Sequence, residues 1–340
     1  MIENNENSYK LKLKALFHEP IHKIWSFENF KKEDIHHKEV LSTELKWQEK
    51  IAQDLFNFLI KENLKDENIE IAEVIASSLS QILVSPEFEK EVKEKFNEDN
   101  NIFLQNAKYI DPFSGKAEDI GFPSNNNEVK EVFEELGKSS FDDQEKAAKF
   151  FFHFLWRFLP DIFPWIERHP ADSSAPNHSI YDHLVQTSAI ASSFNNNDKP
   201  SFLIFTITPV QSYIATARKT SDLWAGSFLL SYLTYKAIEK IIEKFGPDHI
   251  IFPNLRSQPL VDLWLHENIF NDQKINIKAF SDWEKQTCTK DKFSEEFLKK
   301  LIIANIPNRF LAILPYGKAK DIAKECERSI QETIENLLNQ

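Results

Sequence analysis

Glycine is the residue in which this sequence is poorest. Only 6 of its 340 residues are glycine, where an average usage of about 7% would give roughly two dozen. The glycines are isolated from one another: Gly115, Gly121, Gly137, Gly226, Gly246 and Gly317. Neither the dinucleotide-binding pattern G-x-G-x-x-G nor the P-loop pattern G-x-x-x-x-G-K-[ST] can be formed from them. The sequence therefore excludes both phosphate-binding loops and any hairpin built on paired glycines.

Cysteine is also scarce, and long apolar runs are absent from the sequence. Cys288 and Cys326 are too few for a four-cysteine zinc site, and nothing suggests a disulfide framework. The N-terminus, from Met1 to Lys10, is polar and acidic, unlike a signal or transit peptide. No apolar run approaches the ~20 residues that a membrane span needs. We therefore expect a cytoplasmic location and no membrane partner.

The composition is that of a globular protein with an acidic balance. Hydrophobic residues make up 41% of the chain and charged residues 28%, and the formal net charge is −12. A free-standing, non-specific nucleic-acid binder would be basic. The charge does not exclude a subunit that meets nucleic acid inside a larger assembly.

The hydrophobic pattern divides the chain at a polar linker, Asn195–Pro200. Residues 1–195 show mainly helical spacing, including a block from Phe141 to Leu159 that we expect to stop at Pro160. The aromatic segment 150–166 indicates either core packing or a docking face for a partner.

Residues 201–340 have a different character, with three expected strands at 202–207, 249–255 and 309–315. Helices are expected at 210–219, 223–245 and near the C-terminus, and a mostly helical insertion at about 258–305. The order β-α-β-(insertion)-β-α is that of a ferredoxin-like unit, β-α-β-β-α-β, without its fourth strand. We therefore predict an α+β chain with a helical first domain and an incomplete ferredoxin-like second domain.

Histidines and carboxylates in the first domain are candidate metal ligands. His18-Glu19 ends the first helical run, Glu73 lies on a later helix, and His183 lies near the edge of a buried helical stripe that runs from Ile180 to Phe194. Such side chains converging from different helices suit a divalent metal ion that activates water. The alternative is that each histidine is an ordinary core or surface residue.

The segment 208–227 is a candidate phosphate site. Two helices are expected to meet at Thr220–Asp222, with Ser221 or Asp222 as a cap and with Gly226 and Ser227 in the first turn of the second helix. Arg218 and Lys219 stand beside this helix N-terminus, which favours anions. The alternative is that Gly226 only allows close helix packing. Residues 201–208 carry no carboxylate, so this half resembles a binding partner more than a catalytic palm.

Several runs carry a resemblance to a known family. They are LKALFHEPIHK (13–23), PADSSAPNHSIYDHLVQTSAIA (170–191), TPVQSYIATARKTSDLWAGSFLLSYL (208–233), GPDHIIFPNLRSQPLVDLWL (246–265) and IPNRFLAILP (306–315). Together they resemble the large subunit of type III-B CRISPR (Cmr) effector complexes, within the Cas-ten family. The resemblance implies a permuted, degenerate HD-like helical domain followed by the first of two palm domains.

The resemblance implies a degenerate metal site. His18 and His183 match the histidines of the family's HD domain, while Glu19 stands where aspartate is usual. The expected Asp-Arg pattern is Ser80-Gln81 here, and Glu73 could replace another acidic residue. Mn²⁺ or Ni²⁺ would be the metal. These departures argue against nuclease activity, because metal sites depend sharply on ligand geometry.

The resemblance also implies half of an ATP–Mg²⁺ site. The family makes cyclic oligoadenylate with a Gly-Gly-Asp-Asp hairpin of the second palm, and this sequence lacks that hairpin. It is therefore not an autonomous cyclase. Gln211, Arg218, Gly226 and Ser227 would contribute to the nucleotide pocket.

Three hypotheses for the function follow. The favoured one is a subunit or fragment of an RNA-guided antiviral ribonucleoprotein, with other Cmr subunits, guide RNA and target RNA as partners. The second is a metal-dependent HD-type phosphohydrolase or single-strand nuclease. The third is a helical interaction protein without chemistry.

Overall fold

The computed structural model describes most of the second half of the chain and selected parts of the first. The described residues are 8–16, 18, 67–79, 104–105, 108–110, 116–119, 131–132, 135–136, 139, 141, 144–168, 171, 178–194, 198–271, 273–289 and 292–339. The chain forms two compact units. One comprises Lys10–Ser188, and the other comprises Met1–Tyr9 with Ala189–Gln340.

The unit Lys10–Ser188 is built mainly from helices α1 (Ser8–Leu16), α2 (Glu67–Leu79), α3 (Gln144–Ile162) and α4 (Ile180–Ser193). A 3₁₀ turn, Pro164–Glu167, follows α3. The unit also contains an antiparallel sheet of three short strands, β1 (Leu104–Gln105), β2 (Lys108–Ile110) and β3 (Ala117–Asp119). The sheet is an addition to the mainly helical region that was expected, since strands of two or three residues are too short to show a period in the sequence.

Helix α3 supplies the aromatic core of this unit. Its buried phenylalanines, each at most 3% exposed, are Phe150, Phe151, Phe152, Phe154 and Phe158. Neighbouring rings contact edge-to-face or tilted, as between Phe150 and Phe151 at 5.4 Å and Phe154 and Phe158 at 5.1 Å. The interpretation of this segment as core is therefore confirmed for α3.

Helix α3 continues past the proline that was expected to end it. Pro160 lies inside the helix, which ends at Ile162. Proline has no N–H, so the carbonyl of Trp156, four residues earlier, loses its helical partner. The hydroxyl of Tyr181 on α4 donates a hydrogen bond to that carbonyl. The tertiary contact satisfies the group that proline leaves unpaired, which the local sequence could not reveal.

The second unit contains an antiparallel sheet in the order β4–β8–β5. Its strands are β4 (Pro200–Thr206), β5 (Ile250–Phe252) and β8 (Arg309–Pro315). Strand β8 pairs with β4 over the full length of both strands, in a register that places Phe205 opposite Phe310 with ring centroids 5.1 Å apart. The expected strand 249–255 is shorter than predicted, because a 3₁₀ turn precedes it and Pro253 follows it.

Two long helices, α6 (Thr220–Phe245) and α10 (Tyr316–Leu338), pack against each other beside the sheet. The short helix α5 (Val210–Ile214) precedes α6 and ends earlier than the predicted Lys219. Two hydrogen bonds join the long helices, from Cys326 Sγ to the Ala237 carbonyl at 3.2 Å and from Ser329 Oγ to the Lys236 carbonyl at 2.9 Å. Small side chains at this contact allow the helix backbones to approach closely.

The segment between β5 and β8 is mostly helical, as predicted for about 258–305, and it also contains a short hairpin that was not predicted. Helix α7 (Pro259–Leu265) continues into a π-helical turn, His266–Phe270, and α8 (Lys278–Thr287) follows. A two-stranded hairpin of β6 (Cys288–Thr289) and β7 (Lys292–Phe293) precedes α9 (Glu295–Leu301). Ser294 caps α9 by accepting a hydrogen bond from the amide of Phe297.

Among the described helices of the whole chain, none is long and apolar enough to cross a membrane.

Candidate functional site

The first candidate site begins at a reciprocal cap on helix α4. The Ser179 hydroxyl lies 2.8 Å from a carboxylate oxygen of Asp182 and 3.1 Å from the Asp182 amide. The same carboxylate accepts a longer hydrogen bond from the Ser179 amide. This is the capping-box arrangement, with aspartate in the place of the usual glutamate. It fixes the first turn of α4, in which His183 lies.

Three imidazoles meet beside this cap. The ring centroid of His183 lies 5.4 Å from that of His18 and 5.7 Å from that of His178. His183 is only 2% exposed, so it lies within the buried face of α4 and not near its edge as predicted. The structure therefore brings together His18 and His183, which the sequence had paired as candidate ligands. His178 was not among the predicted ligands, although it belongs to the same NHSIYDH run.

The hydrogen bonding of His18 leaves one ring nitrogen available for a ligand. Its Nδ1 donates to the carbonyl of Ala15, because a carbonyl can only accept. In the neutral ring Nε2 then carries the lone pair, and this atom is buried with no hydrogen-bond partner within the described residues. Histidine ligands of metals commonly use one nitrogen for a backbone carbonyl and the other for the metal. The state of His18 thus fits a metal ligand.

Of the two carboxylates predicted for this site, one lies within the described residues. Glu73 is half-buried on α2, and Glu19 lies outside the described residues. Across the described residues, no group of three or more His, Cys, Asp or Glu side chains is arranged to hold a metal ion. The set His18, Glu19, Glu73 and His183 therefore stays a prediction.

The second candidate site is the surface where α5 and α6 meet. Gln211 on α5 and Arg218 before α6 are both exposed. Helix α6 begins at Thr220, with Lys219 as its N-cap, so neither Ser221 nor Asp222 has the predicted capping position. Instead, the Asp222 carboxylate in the first turn accepts a hydrogen bond of 3.2 Å from the Arg218 amide. This carboxylate already uses part of the positive end of the helix, so an anion would depend on the side chains of Arg218 and Lys219.

Gly226 and Ser227 lie in the second turn of α6, not in its first turn as predicted, because the helix begins three residues earlier than expected. A Cβ built on Gly226 would lie 3.4 Å from Cε1 of Tyr213, which is ordinary van der Waals contact. Tyr213 of α5 therefore packs against α6 over Gly226, and a Cβ at that position would not displace it. The Ser227 hydroxyl donates to the Leu223 carbonyl at 2.8 Å and keeps its lone pairs for a ligand.

Aromatic side chains on this surface were missed by the sequence interpretation. Tyr213 is 41% exposed and Trp224 is 49% exposed. Trp224 begins a ladder of nearly parallel rings along α6, with Phe228 at 6.0 Å and Tyr232 a further 6.0 Å on. Spacing of four residues in DLWAGSFLLSYL is the signal that could have revealed this ladder.

Burial raises the pKa of Tyr235, which lies next to this ladder, well above its usual value, so the Tyr235 hydroxyl stays protonated.

Comparisons with known proteins give a family match for the unit that contains the β4–β8–β5 sheet. Residues 202–339 match the family described as CRISPR-associated protein Cmr2, N-terminal. The Cmr subunit Cmr2 of Pyrococcus furiosus is 34% identical over 211 residues, which are 62% of this chain and 19% of the relative. The Cmr2 subunit of Saccharolobus solfataricus is 27% identical over 328 residues, covering 92% of this chain and 30% of the relative.

A solved structure shares the fold. A chain of the type III-B Cmr-beta complex bound to cognate target RNA matches with a TM-score of 0.58 and 22% identity, over 93% of this chain and 31% of that chain. The protein thus resembles CRISPR-associated proteins. Within that class, residues 202–339 match the N-terminal part of Cmr2, and the resemblance seen in the sequence is confirmed. The chain spans less than a third of the length of these relatives.

Proposed function

We propose that this chain forms part of an RNA-guided type III-B effector, where it scaffolds the assembly and contributes one side of an ATP-binding site. The observation that carries the proposal is apolar surface on the unit that matches the Cmr2 family. On strand β4, Phe202 is 57% exposed and Ile204 is 73% exposed. Alternating exposed residues on a strand form one continuous face of the sheet, and exposed apolar faces of this kind are typical of protein interfaces.

The topology supports an incomplete ferredoxin-like palm. The order β4, α6, β5, β8, α10 gives the first five elements of a β-α-β-β-α-β unit, with α7 to α9 inserted before β8. Strand β4 pairs with β8 on one edge, and the described residues place no strand on its other edge. A fourth strand would complete the sheet there.

Association with the effector is tested by purification. The tagged chain, co-expressed with type III-B subunits and a guide RNA, should elute with identified Cmr subunits and guide RNA. The binding of target RNA would follow through the complex, since the net charge of −12 does not favour binding by the chain alone. Elution of the chain as a lone monomer in every such preparation would remove the proposal.

The α5–α6 surface would supply the nucleotide contacts. Arg218 and Lys219 offer cationic donors for phosphates, and Gln211 and Ser227 offer neutral polar groups. Tyr213 packs against α6 over Gly226. The exposed rings of Tyr213 and Trp224 are suited to stacking against a base. The surface is open on one side, as expected of half a site whose other half lies in a second palm. ATP bound there would be accompanied by Mg²⁺, with phosphate chemistry supplied from outside the described residues.

Titration of ATP–Mg²⁺ into the assembled complex tests this surface. Replacing both Arg218→Gln and Lys219→Gln should weaken ATP binding by about tenfold, the loss expected for one or two charge-assisted hydrogen bonds. Lys240→Gln, on α6 and paired with Glu243 at 2.8 Å, is the control and should leave binding unchanged. Equal affinity in all three proteins would exclude the α5–α6 surface as the nucleotide site.

The second candidate function is that of an HD-like metal-dependent phosphohydrolase or single-strand nuclease. The tautomer of His18 beside His183 favours it. A metal there would supply activated water, while the chain's own residues would hold and orient the ion. Calorimetry with Mn²⁺ or Ni²⁺ should show binding that His18→Ala and His183→Ala abolish. Cleavage of single-stranded DNA at the same rate by wild type and both variants would reject the nuclease.

A further inference from the structure

The two cysteines of the chain occupy opposite environments within one unit. Cys326 is 0% exposed, donates to the Ala237 carbonyl at 3.2 Å, and has its pKa raised to about 12, chiefly by burial. Cys288 is partly exposed and begins strand β6, directly after helix α8. Cys288 is therefore partly accessible to solvent, whereas Cys326 is not.

The sulfur of Cys288 is in contact with an imidazole. Its Sγ lies 3.0 Å from Nε2 of His266, the first residue of the π-helical turn that follows α7. The two residues are 22 positions apart in sequence, and ring contacts of His266 and Phe270 with Trp283 join the π-helical turn to α8. Aromatic rings hold the imidazole, with the Phe293 centroid at 5.5 Å and the Trp283 centroid at 6.1 Å.

The second nitrogen of His266 sets the direction of this hydrogen bond. Nδ1 is buried and has no hydrogen-bond partner within the part of the chain that is described. A hydrogen on Nδ1 would therefore be buried without an acceptor, whereas a lone pair there would be buried without a donor, and an orphaned buried N–H is the rarer of the two in native structures. The tautomer with its hydrogen on Nε2 is therefore preferred, and its Nε2–H donates to sulfur. Because a thiolate accepts a hydrogen bond much better than a thiol, this donation favours the thiolate.

We propose that Cys288 and His266 form an activated-thiol site, modified by hydrogen peroxide and by small carbon electrophiles. The Cys288 thiol loses its proton to water, and the thiolate is held by Nε2–H. The sulfur then attacks one peroxide oxygen, so that an S–O bond forms and the O–O bond breaks. The leaving hydroxide takes up a proton to give water, and sulfur is oxidised by two electrons to a sulfenic acid.

The rest of the surroundings do not favour the thiolate. Cys288 follows the C-terminal end of α8, whose partial negative charge opposes it. The carboxylate of Asp262 on α7 is buried. The other charged side chains on the surrounding elements are mostly solvent-exposed: Glu267, Lys278, Asp282, Glu284, Lys285, Lys292, Glu295, Glu296, Lys299 and Lys300. Solvent screens those charges, and His266 is in direct contact with the sulfur.

Alkylation with iodoacetamide, followed by peptide mass spectrometry, tests the proposal on the full chain. At about pH 7, His266→Phe, which removes the donor but keeps an aromatic ring, should slow the reaction of Cys288 about tenfold. His266→Gln retains an N–H donor and should restore part of the rate. Lys285→Gln, which removes an exposed cation on α8, is the control and should change the rate less than twofold. Dimedone trapping after peroxide should label Cys288 and leave Cys326 unlabelled.

Equal rates for wild type and His266→Phe would overturn the proposal, because exposure alone would then set the reactivity. If His266→Phe does not fold, the pH profile of the wild-type rate decides. An apparent thiol pKa below the usual value of about 8.5 supports activation, and one at or above that value contradicts it.

Discussion

The cluster of three imidazoles (His18, His178 and His183) and the α5–α6 surface differ in how far their side chains are buried. His183 is almost fully buried, and its position is fixed by the cap of α4. Arg218, Gln211 and Trp224 are exposed, and the Asp222 carboxylate already occupies part of the nearby helix end. A buried cluster can hold its groups in place by itself, whereas an exposed surface needs a second surface to enclose a ligand. The first region is thus suited to a resident ion, and the second to a shared site.

The same contrast predicts where substitutions affect stability and where they affect binding. Buried groups of the unit Lys10–Ser188 should govern its unfolding, since their replacement leaves cavities or unpaired polar atoms. Exposed groups around α5 and α6 should be nearly neutral for folding.

Phe158→Ala should have the largest effect. The side chain is 0% exposed within the aromatic core of α3, so its loss should cost about 3–5 kcal/mol in the free energy of unfolding. Trp224→Ala, on the half-exposed end of the α6 ladder, should cost less than about 1 kcal/mol. Native-state hydrogen exchange measures each unit separately. Similar losses for the two variants would remove the distinction between the regions.

His153 should make the first unit sensitive to acid. Burial first, and then the charges of Lys149 and Lys12, lower its pKa to about 3, despite a hydrogen bond from Nδ1 to the Lys149 carbonyl. Between about pH 6.5 and 3 the unfolded state binds a proton that the folded state does not, so stability falls as pH falls, by up to about 1.4 kcal/mol per pH unit. His153→Gln should flatten this slope in urea titrations, with little change above about pH 7. An unchanged slope would contradict the assignment.

Tyr181→Phe tests how α3 accommodates Pro160. Removing the hydroxyl leaves the Trp156 carbonyl without the hydrogen bond that replaces its helical one, and should cost about 1–3 kcal/mol. Tyr213→Phe, at an exposed tyrosine of the α5–α6 surface, is the matched control and should cost less than about 0.5 kcal/mol. Urea unfolding compares the two, and a loss no larger in Tyr181→Phe than in the control would show that the carbonyl finds another partner.

Gly226→Ala should have the smallest effect and the opposite sign. The added Cβ makes only ordinary contact with Tyr213, and alanine is the better helix former by about 0.5–1 kcal/mol. A slight gain in the melting temperature of the second unit is expected. A clear loss would mean that Tyr213 cannot adjust, and that glycine is required there for packing.

Much of the second unit could be predicted from the sequence, because its elements are long and strongly patterned. The strand predicted at 309–315 has those bounds, and the helix predicted at 223–245 is present with three additional residues at its start. What could not be predicted depends on contacts distant in sequence. The hydrogen bond from Tyr181 replaces the one that α3 loses at Pro160. His266 and Cys288 are in contact although they lie 22 positions apart in sequence. Short strands such as β6 and β7 give no period to detect.

The candidate sites were predictable only in part, for the same reason. The pairing of His18 with His183 followed from motifs, and the structure brings these rings within 5.4 Å. The exposed ring of Trp224 was missed, since apolar spacing on a helix indicates a core face by default. The second-turn position of Gly226 depended on a helix start that the sequence placed three residues late.

We propose that the exposed face of β4 docks this chain into a type III-B effector. Size-exclusion chromatography of the co-expressed complex, with Phe202→Asp and Ile204→Asp combined, tests this docking. The double variant should leave the complex and elute alone, while Lys324→Asp, at a cation that is 60% exposed on α10, should remain bound. Complete retention of a correctly folded double variant in the complex would contradict the claim.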